Sequence, residues 1–516
     1  MAEIMSISKS FLLKALLQHN YFPSQKKAKE ELPPIINSKS FTPDVSTKLI
    51  ILTKRVGGYD QVEFKSTRYN NVPRALSIPH PMAYAHLCHS LYDSWDKFKY
   101  ITENKNSIIY PKKHNDGRII IMDYQNSKQQ IKRQVELSFN KRFYVNTDIS
   151  NFYPSIYSHS IPWALVGFNI AKKNRGSKKW FNKIDSCQRQ IKRSETNGVP
   201  IGPATSNIVS EAILARVDKK LDRDGFVFFR FIDDYTAYCQ TYKEAERFIR
   251  RLSEELSKYK LLLNIKKTKI EQLPTTTSPE WIVDLTTRKP EKEKLIPTNA
   301  IRFLDYAVNK QFSSPDGSVL KYAAKSIIND VKNNKDVGAD TVLLILQYVL
   351  GLCIKYPILL PLLDILFKEV PPSLGNKFVD QLLKILDEHA TNRRSDAMAW
   401  SLYYINSFSA AIPRKVAKKV LRSEDCISIL FLYLSKQYES EVVEFCNSLN
   451  KSDLFLLDQY WLLLYQLFFY GKIPNPYQYK SGYINHLRGK SDTPENAMKR
   501  EIKVFETLKD NGVSFT

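Results

Sequence analysis

The sequence predicts a mixed α+β body over residues 76–310, an all-α domain of irregular, solenoid-like helix stacking over residues 311–516, and a short N-terminal segment over residues 1–75. Three observations carry this reading. Up to about residue 310, strand-like runs such as KRFYVNTDI, GFVFFRFI and LLLNIKKTKI alternate with helical patterns such as KEAERFIRRLSEELSKY. Beyond Gln311, Leu, Ile and Tyr recur at steps of three and four in VLLILQYVLGL, FVDQLLKILDEH, SILFLYLS and FLLDQYWLLLYQLFFY, and strand signals nearly vanish. A hydrophobic share of 43% and an aromatic share of 12% supply a core for the whole chain of 516 residues.

At the N-terminal end, Phe11 to Leu17 form a short apolar helix, followed by a basic, proline-containing connector, QKKAKEELPPIINSKSFTPD, that reads as polar and mobile. FLLKALL is interrupted by Lys14 and lacks a small-residue cleavage site after it, so it does not read as a signal peptide. The run TVLLILQYVLGLCIKYPILLPLLDILF is broken by Lys355, Pro357, Pro361 and Asp364, which favours short buried helices over a membrane span. The segment Pro274 to Pro297, rich in Pro, Thr and charge, reads as a loop or an insertion near the end of the mixed part. Six scattered Cys with no CxxC pair read as reduced thiols. Seventy-seven Lys and Arg against 53 Asp and Glu give a formal charge of +24, which favours a polyanionic partner, nucleic acid first.

Chemistry concentrates in a few stretches. RFIDDYTAYCQ sets Asp233 and Asp234 side by side between two β-prone runs, and YVNTDISNFYPSI puts Asp148 at the end of another. Taken singly, each is accounted for by a turn or a helix cap. Between them NGVPIGPATSNIVSEAILARVDKKL opens a long amphipathic helix with a Gly- and Pro-rich turn, where small residues permit close approach. After the paired acids come a helix, Ala245 to Tyr259, then LLLNIKKTKI with Asn264, Lys267 and Thr268, and then IRFLDYAV, Ile301 to Val308, read as an aromatic, hairpin-like strand.

The order of these pieces is more demanding than any one of them. It resembles the palm of a reverse transcriptase, with motifs A to E spread from Asp148 to Tyr306 and 85 residues between Asp148 and Asp233. The resemblance implies a reverse-transcriptase fingers-and-palm fold in which Asp148 and Asp233 ligate two Mg²⁺ ions, or Mn²⁺ in their place, and Asp234 assists. Three carboxylates suit hard cations, whose role in phosphoryl transfer is to activate the attacking oxygen and neutralise the triphosphate. Lys267 would neutralise or protonate the departing pyrophosphate. Tyr153, Gly202 and Ile149 would line the nucleotide site, the Tyr153 ring colliding with a 2′-hydroxyl and so selecting dNTPs. Ile201 stands where that family commonly has Gln, which weakens the case for template-directed readout.

PRALSIPHP and PKKHNDGRIII occupy the place of the fingers. YSHSIPWAL after the first acidic motif, the G-x-P-x-G turn and the long helical C-terminal half resemble the abortive-infection reverse-transcriptase-like polymerases, above all those of P2-like prophages. That branch makes single-stranded DNA without copying a template, starts it on a hydroxyl of the protein, assembles as homo-oligomers and works in the bacterial cytoplasm, with no membrane partner. Tyr21, Ser38 and Ser40 on the N-terminal connector are the candidate priming hydroxyls. The rivals are a conventional RNA-templated reverse transcriptase of retron or group II intron type and a catalytically idle nucleic-acid scaffold.

Overall fold

A computed structural model describes residues 7–28, 30–68, 72–122, 127–176, 178–314, 318–334, 336–370, 372–478 and 494–516. Its central element is a four-stranded antiparallel sheet in the order β4-β5-β3-β6, with β3 at Phe143–Asp148, β4 at Val227–Phe231, β5 at Asp234–Cys239 and β6 at Lys269–Gln272. A second hairpin pairs β1, Gln61–Thr67, with β2, Pro73–Pro79. On β1 Val62 and Phe64 point into the core while Glu63 between them is exposed, the period of two expected of a half-buried strand.

Helix Tyr242–Ser257 covers the sheet, and its sequence shows why it forms. Thr241 caps it by accepting from Glu244 N, and Glu244 reaches back to the Gln240 N–H. Ala245, Phe248, Leu252 and Leu256 then fall on one buried face. Helix Ala204–Arg223 starts at a Pro-Ile-Gly-Pro turn and is buried along most of its length.

Several expectations are corrected by the fold. IRFLDYAV is not a strand but the middle of helix Pro297–Ser313: Ala300, Phe303, Leu304 and Ala307 are buried at helical spacing, and Pro297 fits the first helical turn, where its missing N–H is not needed. Aromatic content suggested β structure, and the 3.6-residue period overrode it. The expected Pro274–Pro297 loop contains helix Glu280–Arg288, which buries Leu285. LLLNIKKTKI gives only Lys269 and Ile270 to a strand, the first half of β6, because Ile265–Lys267 form a 3₁₀ turn.

The helical half packs directly against the N-terminal residues. Its all-α character begins before residue 310, since helix Pro297–Ser313 crosses it, and its core is continuous with that of the N-terminal residues. The Trp461 indole N–H donates to Ile78 O of β2 at 3.1 Å, and the Tyr21 ring lies parallel to Trp461. Asp396 accepts from Thr67 N and Oγ1, and Asn37 N donates to Phe515 O. Fully buried Arg55 pairs with Asp458 at 2.6 Å and Glu501 at 3.2 Å. Within the half itself packing is local: Val379–Thr391 lies against Ser395–Ser407 and Arg414–Arg422, and Ser395–Ser407 against Cys426–Leu434. Among the described residues no helix is long and apolar enough to cross a membrane.

Candidate active site

Strand register gathers the carboxylates. Asp148 ends β3 directly opposite Asp234, the first residue of β5, and Asp233 sits in the two-residue turn, Ile232–Asp233, between β4 and β5. Asp148 is buried; its Oδ2 accepts from Lys267 Nζ at 2.7 Å, while its Oδ1 has no partner. The Lys267 turn is pinned to the strand end by Asn264 N donating to Asp148 O and by the hydrogen bond between the Thr147 and Thr268 hydroxyls, both 2.7 Å.

Electrostatics report how close the acids are. Burial, then the charges of Asp234 and Asp148, push the Asp233 carboxyl up to about 7. Burial and Asp148 push Asp234 up to about 6 against the pull of Lys267. The hydrogen bond to Asp148 raises the Lys267 ammonium above its ordinary value. Among the described residues no set of three or more His, Cys, Asp or Glu side chains is already drawn together around an ion. The donor set nevertheless fits a hard divalent cation: three carboxylates that repel one another, one buried oxygen without a partner, and a lysine ammonium lying where positive charge is wanted.

Beneath the turn lies a group that the sequence reading missed. Arg230 of β4 is fully buried and bonds Glu211 through both Nη atoms at 2.7 and 3.0 Å and Asp218 Oδ2 through Nη2 at 2.7 Å. Its Nη1 also donates to Ile232 O at 2.7 Å, and the Tyr235 hydroxyl donates to Asp218 at 2.8 Å. Ile232 has φ +59°, a left-handed backbone that a β-branched residue adopts only under constraint. The Arg230 cluster supplies that constraint. Its sequence signal was present, an Arg three residues before the paired acids and acids seven residues apart on the preceding helix, but the same pattern describes any solvated helix face.

Tyr153 lies in the short helix Phe152–Ser155, is 5% exposed, and is close enough to Asp233 for its phenol to feel that charge. Its hydroxyl accepts from Asn207 Nδ2 at 2.9 Å, and Asn207 Oδ1 accepts in turn from Gln25 Nε2 at 2.6 Å. Gln25, from the N-terminal segment, also donates to Gly202 O. No local pattern in the sequence marks Gln25, because its partners lie about 180 residues away. What approaches Gly202 is protein: a Cβ there, at φ +134°, would stand 2.8 Å from Pro23 Cγ and 3.1 Å from Ser77 O. The Ile149 side chain is in the core, and its contribution to the site is the N–H that donates to Asp233 O.

The candidate priming hydroxyls are not on a loose connector. The Tyr21 ring is fully buried and stacked on Tyr84 at 4.1 Å, its hydroxyl donates to Pro79 O, and burial holds the phenol well above its ordinary value. Ser38 is buried, and Ser40 Oγ donates to Ser514 O while accepting from Ser514 N. The polar composition of the connector concealed the Leu32, Ile36 and Phe41 side chains that anchor it in the core.

An antiparallel sheet with acids at a strand end and a neighbouring hairpin turn defines a palm-type candidate site. Residues 99–306 match the family model for the reverse transcriptase (RNA-dependent DNA polymerase), so the chain carries a reverse transcriptase domain, and the matched stretch contains Asp148, Asp233 and Asp234. No curated protein matches the chain. Solved structures that overlap it include apo telomerase from Candida tropicalis truncated from its C-terminal domain, at 11% identity over 46% of this chain and 56% of that one, TM-score 0.29. The apo telomerase from Candida tropicalis overlaps at 11% identity over 78% of this chain and 73% of that one, TM-score 0.30. Telomerase from Candida albicans in complex with a fragment of telomeric RNA overlaps at 11% identity over 78% and 67%, TM-score 0.29. The chain spans little more than half of the first of these, and superpositions so loose carry no argument.

Proposed function

We infer that the chain is a DNA polymerase of the reverse transcriptase superfamily that acts in phage defence by abortive infection, making single-stranded DNA from dNTPs without a template. The observation that carries the polymerase reading is the convergence of Asp148, Asp233 and Asp234 at one end of the palm sheet, within the matched domain. Protein priming, homo-oligomeric assembly and action in the bacterial cytoplasm rest on the likeness of YSHSIPWAL, the G-x-P-x-G turn and the helical half to the abortive-infection branch. The helical half is read with them as an irregular solenoid.

Asp148, Asp233 and Asp234 would hold Mg²⁺ or Mn²⁺, which would supply charge neutralisation for the triphosphate and acidify the attacking hydroxyl. Lys267, bonded to Asp148, would bind and protonate the departing pyrophosphate. Tyr153, whose hydroxyl is bonded to Asn207, would close the space a 2′-hydroxyl needs. Tyr153→Ala is therefore expected to improve use of ribonucleotides relative to dNTPs at least about tenfold, on the scale of steric discrimination in a pocket. An unchanged ratio in incorporation assays would place sugar selection elsewhere.

Labelled dNTPs and Mg²⁺, added with and without a primer-template, separate the readings. Protein-primed, template-free synthesis gives label that stays with the polypeptide after denaturation and yields a nucleotide-bearing peptide on proteolysis and mass spectrometry. Free DNA made only with an added primer and RNA template would support the RNA-templated reading, which the description of the matched family favours. No incorporation under either condition would leave the idle scaffold.

A further inference from the structure

Between the first acidic motif and the Gly-Pro turn the chain carries nine Lys and Arg against one Asp over residues 171–193. That Asp185 is already engaged, by His159 at 2.7 Å and Arg189 at 3.5 Å. Lys172, Lys173, Arg175, Lys178 and Lys179 are all exposed, and among the described residues none of the five has an ion-pair partner. Five like charges within eight residues repel one another, and among the described residues no carboxylate pairs with them.

The loop is held in shape. Gly167, at φ +88°, breaks helix Ser160–Val166 from helix Phe168–Lys173, and Asn182 Nδ2 ties the carbonyls of Asn174 and Gly176 together. A ladder of rings runs into it: Tyr157 to Trp163 at 5.7 Å and Trp163 to Phe168 at 5.1 Å. The Lys172 ammonium lies over both Trp163 and Phe168 at 5.2 and 5.3 Å. Phe168 ends the ladder 52% exposed. Exposed cations beside a half-exposed ring are what a strand with exposed bases needs, phosphates against the basic residues and a base on the free face of the ring. An anionic membrane would need deeper apolar insertion than one Phe and one Ile, Phe168 and Ile170, offer.

We propose that Phe168, Lys172, Lys173, Arg175, Lys178 and Lys179 form a binding site for the sugar–phosphate backbone of a single-stranded polynucleotide. The choice of DNA product as its occupant rests on the polymerase reading; the site itself does not. Binding of dT20 and rU20 is therefore measured by fluorescence anisotropy without dNTPs, from 50 to 200 mM salt, so that its outcome is independent of catalysis.

Replacing the five basic residues by Ala is expected to reduce the salt slope of log affinity by about 3.5, at about 0.7 per phosphate contact. The affinity at 100 mM salt should fall by at least about a hundredfold. Phe168→Ala should cost about tenfold for a single strand and little for a duplex of the same length. As a control for overall charge, Lys377, Lys384, Arg414, Lys415 and Lys418, exposed on the helical half, are replaced by Ala. Loss in the loop variant alone supports the site, and whichever polynucleotide loses affinity is its occupant. Equal loss in the control, unchanged binding in a loop variant that melts as the parent does, or binding of anionic vesicles in preference to either polynucleotide would overturn it.

Discussion

Asp233→Asn is expected to lower dNTP incorporation by more than about 10³-fold, about 4 kcal/mol of transition-state stabilisation, while leaving the fold at least as stable as the parent. The two halves of this expectation have one cause. Asp233 is pushed up to about 7 because it is half-buried beside Asp234 and Asp148, so its charged form is unwelcome without a cation. A carboxyl whose folded value lies above its unfolded one contributes stability that is fully present below about pH 4 and lost as pH rises through about 7. In the absence of divalent ions the parent should therefore lose melting temperature between pH 4 and 8 by more than the Asp233→Asn variant does. Millimolar Mg²⁺ should raise the melting temperature of the parent and move that of the variant much less. A variant that folds normally and still incorporates dNTPs would remove the carboxylates from catalysis. A parent whose pH dependence matches the variant's would remove the repulsion.

The local half of this architecture was legible in the sequence. YVNTDI and GFVFFRFI have the alternation of strands, and KEAERFIRRLSEELSKY carries its cap and its apolar stripe within itself, so these elements stand where they were expected. Asp148, Asp233 and Asp234 could be drawn together because strand order and register follow from a known sequence of motifs. Where composition and periodicity disagreed, as in IRFLDYAV, composition misled: Phe303, Leu304 and Ala307 obey the helix. Long-range contacts left no local trace. Nothing near Gln25 announces Asn207, and nothing near Arg55 announces Asp458 or Glu501, because each pair is joined only by the finished fold. The same is true of Trp461, whose apolar surroundings spoke of a helical core but not of β2 as part of it.

That interlock bears on how the site is held. The motif turn containing Gly202 is clasped by Asn20, Pro23 and Gln25 on one side and Ser77 on the other, through Ala204 N to Asn20 O and Ser77 N to Ile201 O. The N-terminal segment in turn is anchored to the helical half, where Glu30 is paired with Lys321 and Lys325, which draw its carboxyl down to about 2 against the opposing effect of burial. The turn at Gly202 is thus tied, through the N-terminal segment, to the helical half.

Arg230→Met is expected to destabilise the protein by about 3–5 kcal/mol, the cost of leaving buried carboxylates without their cation. Arg230 serves Glu211 and Asp218 together, and Glu211 is already held above its ordinary value by burial despite that pairing. Without the guanidinium Glu211 would shift further up, so the deficit should be smallest near pH 4 and grow toward pH 8, as stability carried by a raised carboxyl group is lost with rising pH. Adding Glu211→Gln and Asp218→Asn should recover much of the loss, because the penalty lies in the stranded charges rather than in packing. The triple variant would still lack the Arg230 bond to Ile232 O, which holds the left-handed turn carrying Asp233. It should accordingly melt near the parent and still incorporate dNTPs more slowly, a split between stability and activity that denaturation curves and single-turnover assays read separately. Recovery of both together would reduce the cluster to a structural ion pair; recovery of neither would show that the guanidinium acts through packing.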